Sequence, residues 1–217
     1  MKAIMISDKP KWCSLMMNGK KNIEVRTSKA LAIAIRKLID ENGYADIYVY
    51  CSKDNREDFF KNLSFKYNPY HFTNKPQNKK WYEGLKHIQI LNGKVLFKFR
   101  CYKLEELKTC ERHSAELIDQ SCLSAEEFYD YLTKGRNFLG QVLGYAIHIS
   151  DLEIFDKPKE LWEFEKVGSY NNPTIKCKKK EQGRCNYGKS PFTGKWVGCE
   201  KARLTKAPQN FCYVEVE

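Results

Sequence analysis

A short helix that runs directly into a strand is the pattern that most restricts how this chain can fold. Ser7 and Asp8 precede Pro10, which predicts an N-cap followed by proline in the first helical turn. Apolar residues then recur at helical spacing until Gly19, a residue type that commonly ends helices. Apolar and polar residues alternate over 22–27, as they do in a strand. The sequence therefore predicts a helix whose end leads straight into a strand.

The predicted strand carries a compact group of charged residues. Ile23 and Val25 point to one side of such a strand, whereas Glu24 and Arg26 point to the other. With Lys21, two cations and a carboxylate lie within six residues. Arg26 can donate a bidentate pair of hydrogen bonds to a phosphate or a base edge, and Glu24 can accept a hydrogen bond from an exocyclic amine. Lys21 can bind phosphate or act as a general base. The alternative is a surface charge cluster in which Glu24 and Arg26 are merely paired.

The rest of the chain predicts strands interleaved with short helices. One helix is predicted to begin at Ser28 and end near Gly43, and a capping box formed by Ser124 and Glu127 predicts another. Strands are predicted over 46–51, 94–102, 142–155 and 210–216, with an elaborated loop over 53–93 and a helical turn opening at 157. No βαβ rhythm is evident, so the pattern favours an α+β fold, a mixed β-barrel with short flanking helices.

Positive charge is concentrated in one segment near the C-terminal end. The formal net charge is +11, and residues 176–206, with ten basic and two acidic residues, carry +8 of it. Such a field suits a polyanionic partner such as RNA, and Lys178, Lys179 and Lys180 form its longest basic run. Codon bias can raise lysine content without selection for a ligand, but it does not explain the clustering. We therefore expect 176–206 to act as an electrostatic arm for nucleic acid.

The nine cysteines are scattered between Cys13 and Cys212, unlike the dense framework of a small secreted domain, so reduced thiols are expected. Cys177, Cys185 and Cys199 fall in a strand-poor stretch that a metal or a contact with the barrel must hold. Cys212 would be either the fourth zinc ligand or a buried small hydrophobe. No pair has the CxxC spacing of a zinc ribbon. The function is expected to need no cofactor, and any zinc would be structural.

Neither a membrane span nor a secretory signal is evident in the sequence. The longest apolar candidate, 30–35, is broken by Arg36 and Lys37. The N-terminal segment MKAIMISDKPKW lacks the apolar stretch and small-residue cleavage site of a signal peptide. We therefore expect a cytoplasmic protein with no membrane partner.

The segment KPKWCSLMMNGKKNIEVRT resembles the signature of the ASCH-domain family, a Lys-Pro-x-Trp helix followed by Gly-Lys-Lys-x-Ile-Glu-x-Arg. Further matches follow in order: IYVYCSK, NGKVLFKFRC, CLSAEEFYDYL and GYAIHISDLEIFDKPKEL. The ending APQNFCYVEV is similar to the last strand of many members encoded by phages and mobile elements. The resemblance implies a PUA-like (ASCH) mixed β-barrel formed by 1–166 and 207–217. Residues 53–93 are then an elaborated loop, and 167–206 are a basic, cysteine-containing insertion packed on the barrel.

The same resemblance implies a function. Relatives of this fold bind RNA or single nucleobases in a cleft beside the barrel, and Lys21, Glu24 and Arg26 hold the positions that line this cleft in the family. The resemblance therefore implies an RNA-binding or modified-nucleobase-binding protein that uses a basic cleft. Its partner would be RNA, a nucleotide or a nucleoside.

Hydrolysis is an alternative function that the family also contains. One branch removes the acetyl group from N4-acetylcytidine with a lysine of this block, a threonine three residues later and a distal glutamate. Lys21 matches the lysine, Glu24 occupies the threonine position, and Glu126 and Glu127 are candidates for the distal acid. A carboxylate does not simply replace a hydroxyl nucleophile, because the acyl intermediate would be a mixed anhydride. Other ASCH proteins are linked to RNA cleavage, in which Lys21 would be the base and Glu24 the acid or electrostatic partner.

Docking on a host protein is a third function to consider. Residues 53–92 are polar, aromatic and irregular, with Asn-Pro and Lys-Pro pairs that favour turns. In a phage effector, this loop would present an exposed aromatic patch around Tyr67, Tyr70 and Phe72 to the host partner.

Overall fold

The computed structural model describes residues 2–53, 92–108, 113–133, 142–166, 204 and 206–215. Its strands are β1 (Lys2–Asp8), β2 (Ile23–Arg26), β3 (Ala45–Cys51), β4 (Val95–Cys101), β5 (Leu104–Lys108), β6 (Val142–His148), β7 (Ser150–Lys159), β8 (Glu165–Lys166) and β9 (Phe211–Glu215). Its helices are α1 (Pro10–Met17), α2 (Lys29–Asn42), α3 (Ala115–Gln120) and α4 (Ala125–Thr133), with a 3₁₀ turn at Leu161–Glu163. The predicted α+β class is confirmed. Within the described ranges the strands form two sheets, and these do not close into one barrel.

Strand β1, which the sequence patterns do not predict, lies inside the six-stranded sheet, whose order is β7-β4-β3-β1-β9-β8. It runs parallel to β3 on one side and antiparallel to β9 on the other. Residues Ala3, Ile4, Met5 and Ile6 are all buried, so both faces of the strand are covered. A strand buried on both faces shows a continuous apolar run instead of alternation, and period-two patterning therefore misses it.

Helix α2 packs into the main core beside this sheet. It begins as predicted, with Leu31 N donating a 3.2 Å hydrogen bond to Ser28 Oγ, and it ends at Gly43 in the left-handed conformation (φ 82°). Leu31, Ile35 and Leu38 are fully buried in the core that β1, β3 and β4 share. Full burial of a side chain of this size contributes about 1.5–3 kcal/mol. The apolar face of α2 thus fixes the helix on the sheet.

Strands β2, β6 and β5 form the smaller sheet, in the order β2-β6-β5. Helix α4 packs on it through Phe128 and Leu132, which are buried in one cluster with Ile23 of β2. The predicted capping box is confirmed, because Glu127 N donates to Ser124 Oγ and Ser124 N donates to a Glu127 carboxylate oxygen. The box fixes the start of α4 beside β2, the strand that carries the predicted site.

Two predicted elements have different bounds in the structure. The stretch predicted as one strand over 142–155 is divided at Ile149, because β6 belongs to the smaller sheet and β7 to the larger. The helical turn predicted to open at 157 begins later, since β7 continues to Lys159 and a single 3₁₀ turn then covers Leu161–Glu163. Both differences follow from strand pairing, which a local pattern does not report.

Most of the predicted 53–93 loop and of the predicted 167–206 insertion lies outside the described residues. The aromatic patch expected for host docking falls in the first of these regions. Leu204 belongs to the described part: its backbone N–H donates to the Phe164 carbonyl (3.0 Å), and its side chain is buried in the cluster that contains Phe164. In the parts of the chain that are described, none of the helices has the length and apolar character needed to cross a membrane.

Candidate ligand-binding cleft

A cleft of about 390 Å³ opens beside the end of β1. Its volume falls within the roughly 300–1,000 Å³ typical of small-molecule sites. Trp12 of α1 and Tyr131 of α4 contribute aromatic rings to the lining. The carboxyl and cationic groups of the lining are Asp8, Lys9, Lys21, Glu24, Arg26 and Glu127. The cleft therefore draws its side chains from both sheets and from two helices.

Four of these groups form a line of alternating charge, which we call the charge row: Asp8, Arg26, Glu24 and Lys21. Arg26 Nη2 lies 3.2 Å from Asp8 Oδ2, and Arg26 Nε lies 2.6 Å from Glu24 Oε1. The other Glu24 oxygen, Oε2, lies 3.2 Å from Lys21 Nζ. No side chain in the row is more than 17% exposed. The three predicted site residues are thus brought together, and Asp8 extends the row.

The turn after α1 positions Lys21. Gly19 ends the helix in the left-handed region (φ 65°), which glycine adopts without the steric cost of a Cβ. The backbone N–H groups of Lys20 and Lys21 then donate to the Leu15 carbonyl, at 3.0 and 3.1 Å. This closed helix end leaves Lys20 exposed and turns Lys21 inward, where only 3% of its surface is exposed.

The Lys21 ammonium has three close neighbours. Nζ donates to the Ser121 carbonyl at 2.7 Å, pairs with Glu24 Oε2, and lies 5.0 Å from the centre of the Trp12 ring. An ammonium carries three N–H bonds, and two of these neighbours are oxygen acceptors. Lys21 therefore positions Glu24 and the turn between α3 and α4.

Asp8 and Glu24 respond differently to their shared surroundings. Burial raises the pKa of Asp8 to about 7; the Glu24 charge adds to this effect, whereas Arg26 and Lys21 oppose it. Burial also disfavours the ionised form of Glu24, but its two cationic neighbours outweigh burial and hold its pKa below the ordinary value. Glu24 is therefore ionised at neutral pH, whereas Asp8 is partly protonated there. The net charge of the charge row consequently changes between zero and +1 near pH 7.

Arg26 is the member of the charge row with the largest exposed fraction, 17% of its side chain. Burial disfavours the guanidinium, but the carboxylates of Glu24 and Asp8 outweigh burial and raise the pKa of Arg26 above its ordinary value. Nη2 also donates a 3.0 Å hydrogen bond to the Ser7 carbonyl. Arg26 is thus permanently charged, fixed in orientation and still accessible from the cleft.

The two aromatic residues differ in how much of each ring is free. Trp12 is partly buried, and both Lys11 Nζ (4.5 Å) and Lys21 Nζ (5.0 Å) lie over its ring. Tyr131 is 40% exposed and lines the same cleft. A planar ligand can stack on either ring, with Tyr131 the more open of the two.

The described lining contains three cationic groups and three carboxyl groups, although the sequence predicts a basic cleft. These charges balance when Asp8 is ionised, and the lining is positive when Asp8 is protonated. The predicted nucleic-acid-binding residues Lys178, Lys179 and Lys180 lie outside the described residues. Within the described lining, Lys21 and Arg26 are therefore paired with carboxyl groups instead of forming a positive surface.

Three residues of the site do not emerge from sequence patterns: Asp8, Ser121 and Tyr131. The predicted helix cap at Asp8 is wrong, because Asp8 is the last residue of β1 and its Oδ1 accepts a 3.0 Å hydrogen bond from Lys9 N. The N-cap position of α1 is Lys9, with no side-chain cap bond. The continuous apolar run over 3–6 was the available signal for a buried strand that ends at Asp8. Ser121 contributes only a main-chain carbonyl, which no side-chain pattern reports.

The predicted zinc site stays a prediction. Three of its four ligands, Cys177, Cys185 and Cys199, lie outside the described residues. Cys212 is partly buried in β9 and packs against the cluster that contains Met5, its neighbour in β1. Within the described ranges, His, Cys, Asp and Glu side chains form no group of three or more that could hold a metal.

Comparison with known proteins assigns no family to the chain. No family model matches it, and a search of curated proteins found no significant match. A function is therefore inferred from the geometry of the cleft and from the signature residues Lys21, Glu24 and Arg26 that line it.

Proposed function

We propose that this chain is an ASCH-type, PUA-like protein whose cleft binds a nucleobase, either in single-stranded RNA or as a free nucleoside. One observation carries the proposal: Lys21, Glu24 and Arg26, which the family resemblance assigns to a ligand cleft, form a buried charge row in the wall of a cleft. Buried charges are costly even when they are paired, and perturbed ionisable groups cluster at functional sites. A role in ligand binding therefore explains the burial of the charge row next to an open cleft better than a role in stability does.

A nucleobase suits the chemistry of this cleft. Its edges carry N–H donors and carbonyl or ring-nitrogen acceptors, which complement the carboxylate of Glu24 and the guanidinium of Arg26. Its flat face can stack on Trp12 or Tyr131, a contact worth about 1–3 kcal/mol per base. Proteins that read RNA sequence mostly take unstacked single-stranded bases in this way.

The basic segment 176–206 adds long-range attraction in this proposal. Its ten basic residues would contact the phosphates of an RNA strand while the cleft holds one base. Affinity for RNA should then fall steeply with salt, whereas affinity for a free nucleoside should change little. Alanine at Lys178, Lys179 and Lys180 should make the salt dependence of RNA binding shallower.

Arg26→Ala tests the proposal, with Arg36→Ala as the matched control. Arg36 lies on α2, where its Nη2 pairs with Glu106 at 2.6 Å away from the cleft. We expect Arg26→Ala to weaken binding of nucleosides and of a short single-stranded RNA by at least about tenfold, or about 1.4 kcal/mol. Arg36→Ala should bind as the wild type does. Titration calorimetry on variants shown to be folded by circular dichroism measures this, and equal affinity in all three proteins would sink the proposal.

Hydrolysis of the bound nucleoside or RNA is a second candidate, favoured by the Asp8 carboxyl. Its pKa of about 7 suits proton transfer at neutral pH, and it lines the same cleft as Glu127. Lys21, the base predicted from the sequence, is held by the Ser121 carbonyl and by Glu24, so Asp8 is the better acid–base candidate. Mass spectrometry after incubation with N4-acetylcytidine and with single-stranded RNA tests this candidate. Hydrolysis requires turnover by the wild type that Asp8→Asn abolishes.

A further inference from the structure

Building on the proposed function, we propose that ionised Asp8 sets the charge class of the ligand: by neutralising Arg26, it makes the cleft selective for an uncharged nucleobase and keeps phosphate groups out. Asp8 is a positioning residue in this role, since it acts through Arg26. It stands outside the segment 19–26 that contains the signature charges, and it reaches the cleft from a different sheet. The selectivity of the cleft would thus depend on a residue that the family signature does not contain.

The carboxyl of Asp8 is fixed in the wall of the cleft. Asp8 ends β1 opposite Cys51 of the parallel strand β3, and its Oδ1 accepts a hydrogen bond from Lys9 N at 3.0 Å. Its Oδ2 is shielded from solvent and faces Arg26 Nη2 at 3.2 Å, without the alignment of a hydrogen bond. The contact between Asp8 and Arg26 is therefore mainly electrostatic, and it depends on the charge that Asp8 carries.

Two carboxylates consequently flank one guanidinium. A phosphate that approached Arg26 would meet the negative charges of Asp8 and Glu24, each already in contact with that group. The Lys21 ammonium already has the Ser121 carbonyl and the Glu24 carboxylate as partners. Repulsion between like charges is one of the ways in which a site rejects a wrong ligand.

An uncharged base meets no such repulsion. Its carbonyl oxygen or ring nitrogen can accept a hydrogen bond from Arg26, and its exocyclic amine can donate to a carboxylate oxygen of the charge row. Neither contact adds a net charge to the charge row, which is neutral when Asp8 is ionised. The arrangement that excludes an anion therefore accommodates a neutral base edge.

The charge of Asp8 depends on pH, which provides a test in the unaltered protein. Burial, followed by the charge of Glu24, raises the pKa of Asp8 to about 7, and Arg26 and Lys21 oppose this rise. The titratable and charged groups that lie around Asp8 are Lys9, Cys13, Lys21, Glu24, Arg26, Cys51 and Tyr131. Below pH 7, protonated Asp8 no longer neutralises Arg26, so an anion should bind better in acid than in alkaline solution.

The probes for this experiment are the common nucleosides and inorganic sulfate, an anion whose charge is constant between about pH 6 and about pH 8.5. The proteins are the wild type, Asp8→Asn, Asp8→Ser and the control Asp46→Asn. Asp46 is matched to Asp8 because its carboxylate also pairs with an arginine, Arg100 at 3.3 Å, but away from the cleft. Nucleoside affinity is measured by calorimetry with increasing sulfate as competitor.

In the wild type, sulfate should compete at least about tenfold more strongly at about pH 6 than at about pH 8.5. In Asp8→Asn and Asp8→Ser, sulfate should compete about tenfold more strongly than in the wild type at about pH 8.5, with little difference between the two pH values. Asp46→Asn should behave as the wild type. Two substitutions and the pH series keep the test decisive if one variant fails to fold.

Sulfate competition that is the same in the wild type and in the folded Asp8 variants would overturn this inference and leave nucleobase binding standing. The inference also fails if sulfate competition in the wild type does not change with pH. Failure of the folded wild type to bind any nucleoside or RNA would overturn the proposed function, and this inference with it.

Discussion

The Lys21 ammonium donates a buried 2.7 Å hydrogen bond to the backbone carbonyl of Ser121, 100 residues further along the chain. The bond ties the start of β2 to the turn between α3 and α4. Strand β2 carries Glu24 and Arg26, and α4 carries Tyr131. The hydrogen bond therefore connects the polar wall of the cleft to its aromatic wall.

Lys21→Met should destabilise the protein strongly. The substitution removes one partner from Glu24 and the donor from the Ser121 carbonyl, and loss of one member of a buried ion pair typically costs about 3–5 kcal/mol. Lys20→Met is the matched control, because the neighbouring lysine is exposed. Urea unfolding monitored by circular dichroism gives both free energies of unfolding. Similar small losses in the two variants would contradict a structural role for Lys21.

Stability should fall as the pH rises from about 4 to about 7, because Asp8 loses its proton at a higher pH in the folded protein than in the unfolded chain. Its pKa is about 7 in the folded protein against an ordinary value of 3.8, so the folded state holds this proton more tightly than the unfolded state does. The resulting stabilisation is present at acid pH and is lost as the pH rises through 7. Urea unfolding at several pH values should show this slope in the wild type and not in Asp8→Asn. Parallel pH profiles for the two proteins would contradict the assignment.

Glu24→Gln should affect stability in a different pH range. The pKa of Glu24 is lowered from its ordinary 4.5, because the pairs with Lys21 and Arg26 outweigh its burial. The stability that Glu24 contributes is therefore present above about pH 4.5 and is lost as the pH falls through its folded-state pKa. The variant should be less stable than the wild type at neutral pH, and the difference should shrink in strong acid. A variant as stable as the wild type at neutral pH would show that the charge row does not depend on this carboxylate.

Trp12→Ala should weaken nucleoside binding by roughly fivefold to a hundredfold, as loss of a stacking contact of about 1–3 kcal/mol predicts. Trp12 lines the cleft, so the wild type should also show a change in tryptophan fluorescence on binding that Trp12→Phe lacks. Trp162→Ala is the control, because Trp162 is 54% exposed and does not line the cleft. If Trp12→Ala binds nucleosides as tightly as the wild type does, the base stacks on Tyr131 instead.

Gly144→Ala should displace β2, because Gly144 lies in β6, the strand that pairs with β2. A Cβ at position 144 would stand 2.5 Å from Leu132 Cδ2 and 3.1 Å from the Arg26 carbonyl oxygen. The leucine methyl can move, but the carbonyl belongs to the backbone that carries the charge row, so we expect a loss of about 1–3 kcal/mol together with weaker ligand binding. Gly43→Ala, at a left-handed position with open space around it, should lower stability without changing ligand affinity. Similar ligand affinity in both variants would argue against the link between Gly144 and the cleft.

The parts of the site that sequence patterns predict are those encoded locally. Alternation over 22–27 predicts β2, and the density of charge around Glu24 predicts a site, because both signals lie within a few adjacent residues. The capping box of Ser124 and Glu127 is equally local, and it is confirmed. Such signals depend on neighbours in the chain, which the sequence displays directly.

The parts that sequence patterns miss depend on pairing between distant segments. Asp8 meets Arg26 only because β1 and β2, in different sheets, end beside each other. Strand β5 carries Glu105 and Glu106 and has no strong strand pattern, yet it pairs with β6 along the smaller sheet. Tertiary context overrides the weak intrinsic preference of such a segment. No local pattern contains the register that joins these residues.

The pairing of β1 with β9 has a consequence for the order in which the molecule can be completed. Ser7 Oγ donates to the Pro208 carbonyl 201 residues away, and β1 pairs with β9 from Lys2 to Ile6. On the ribosome, β1 emerges before β9, so one of its edges stays unpaired until β9 has been synthesised. Contacts between such distant segments form slowly, and an open strand edge invites pairing with other chains. The strand that ends in Asp8 is therefore open to misassembly until β9 is available, and the wall of the cleft that it forms is complete only after that step.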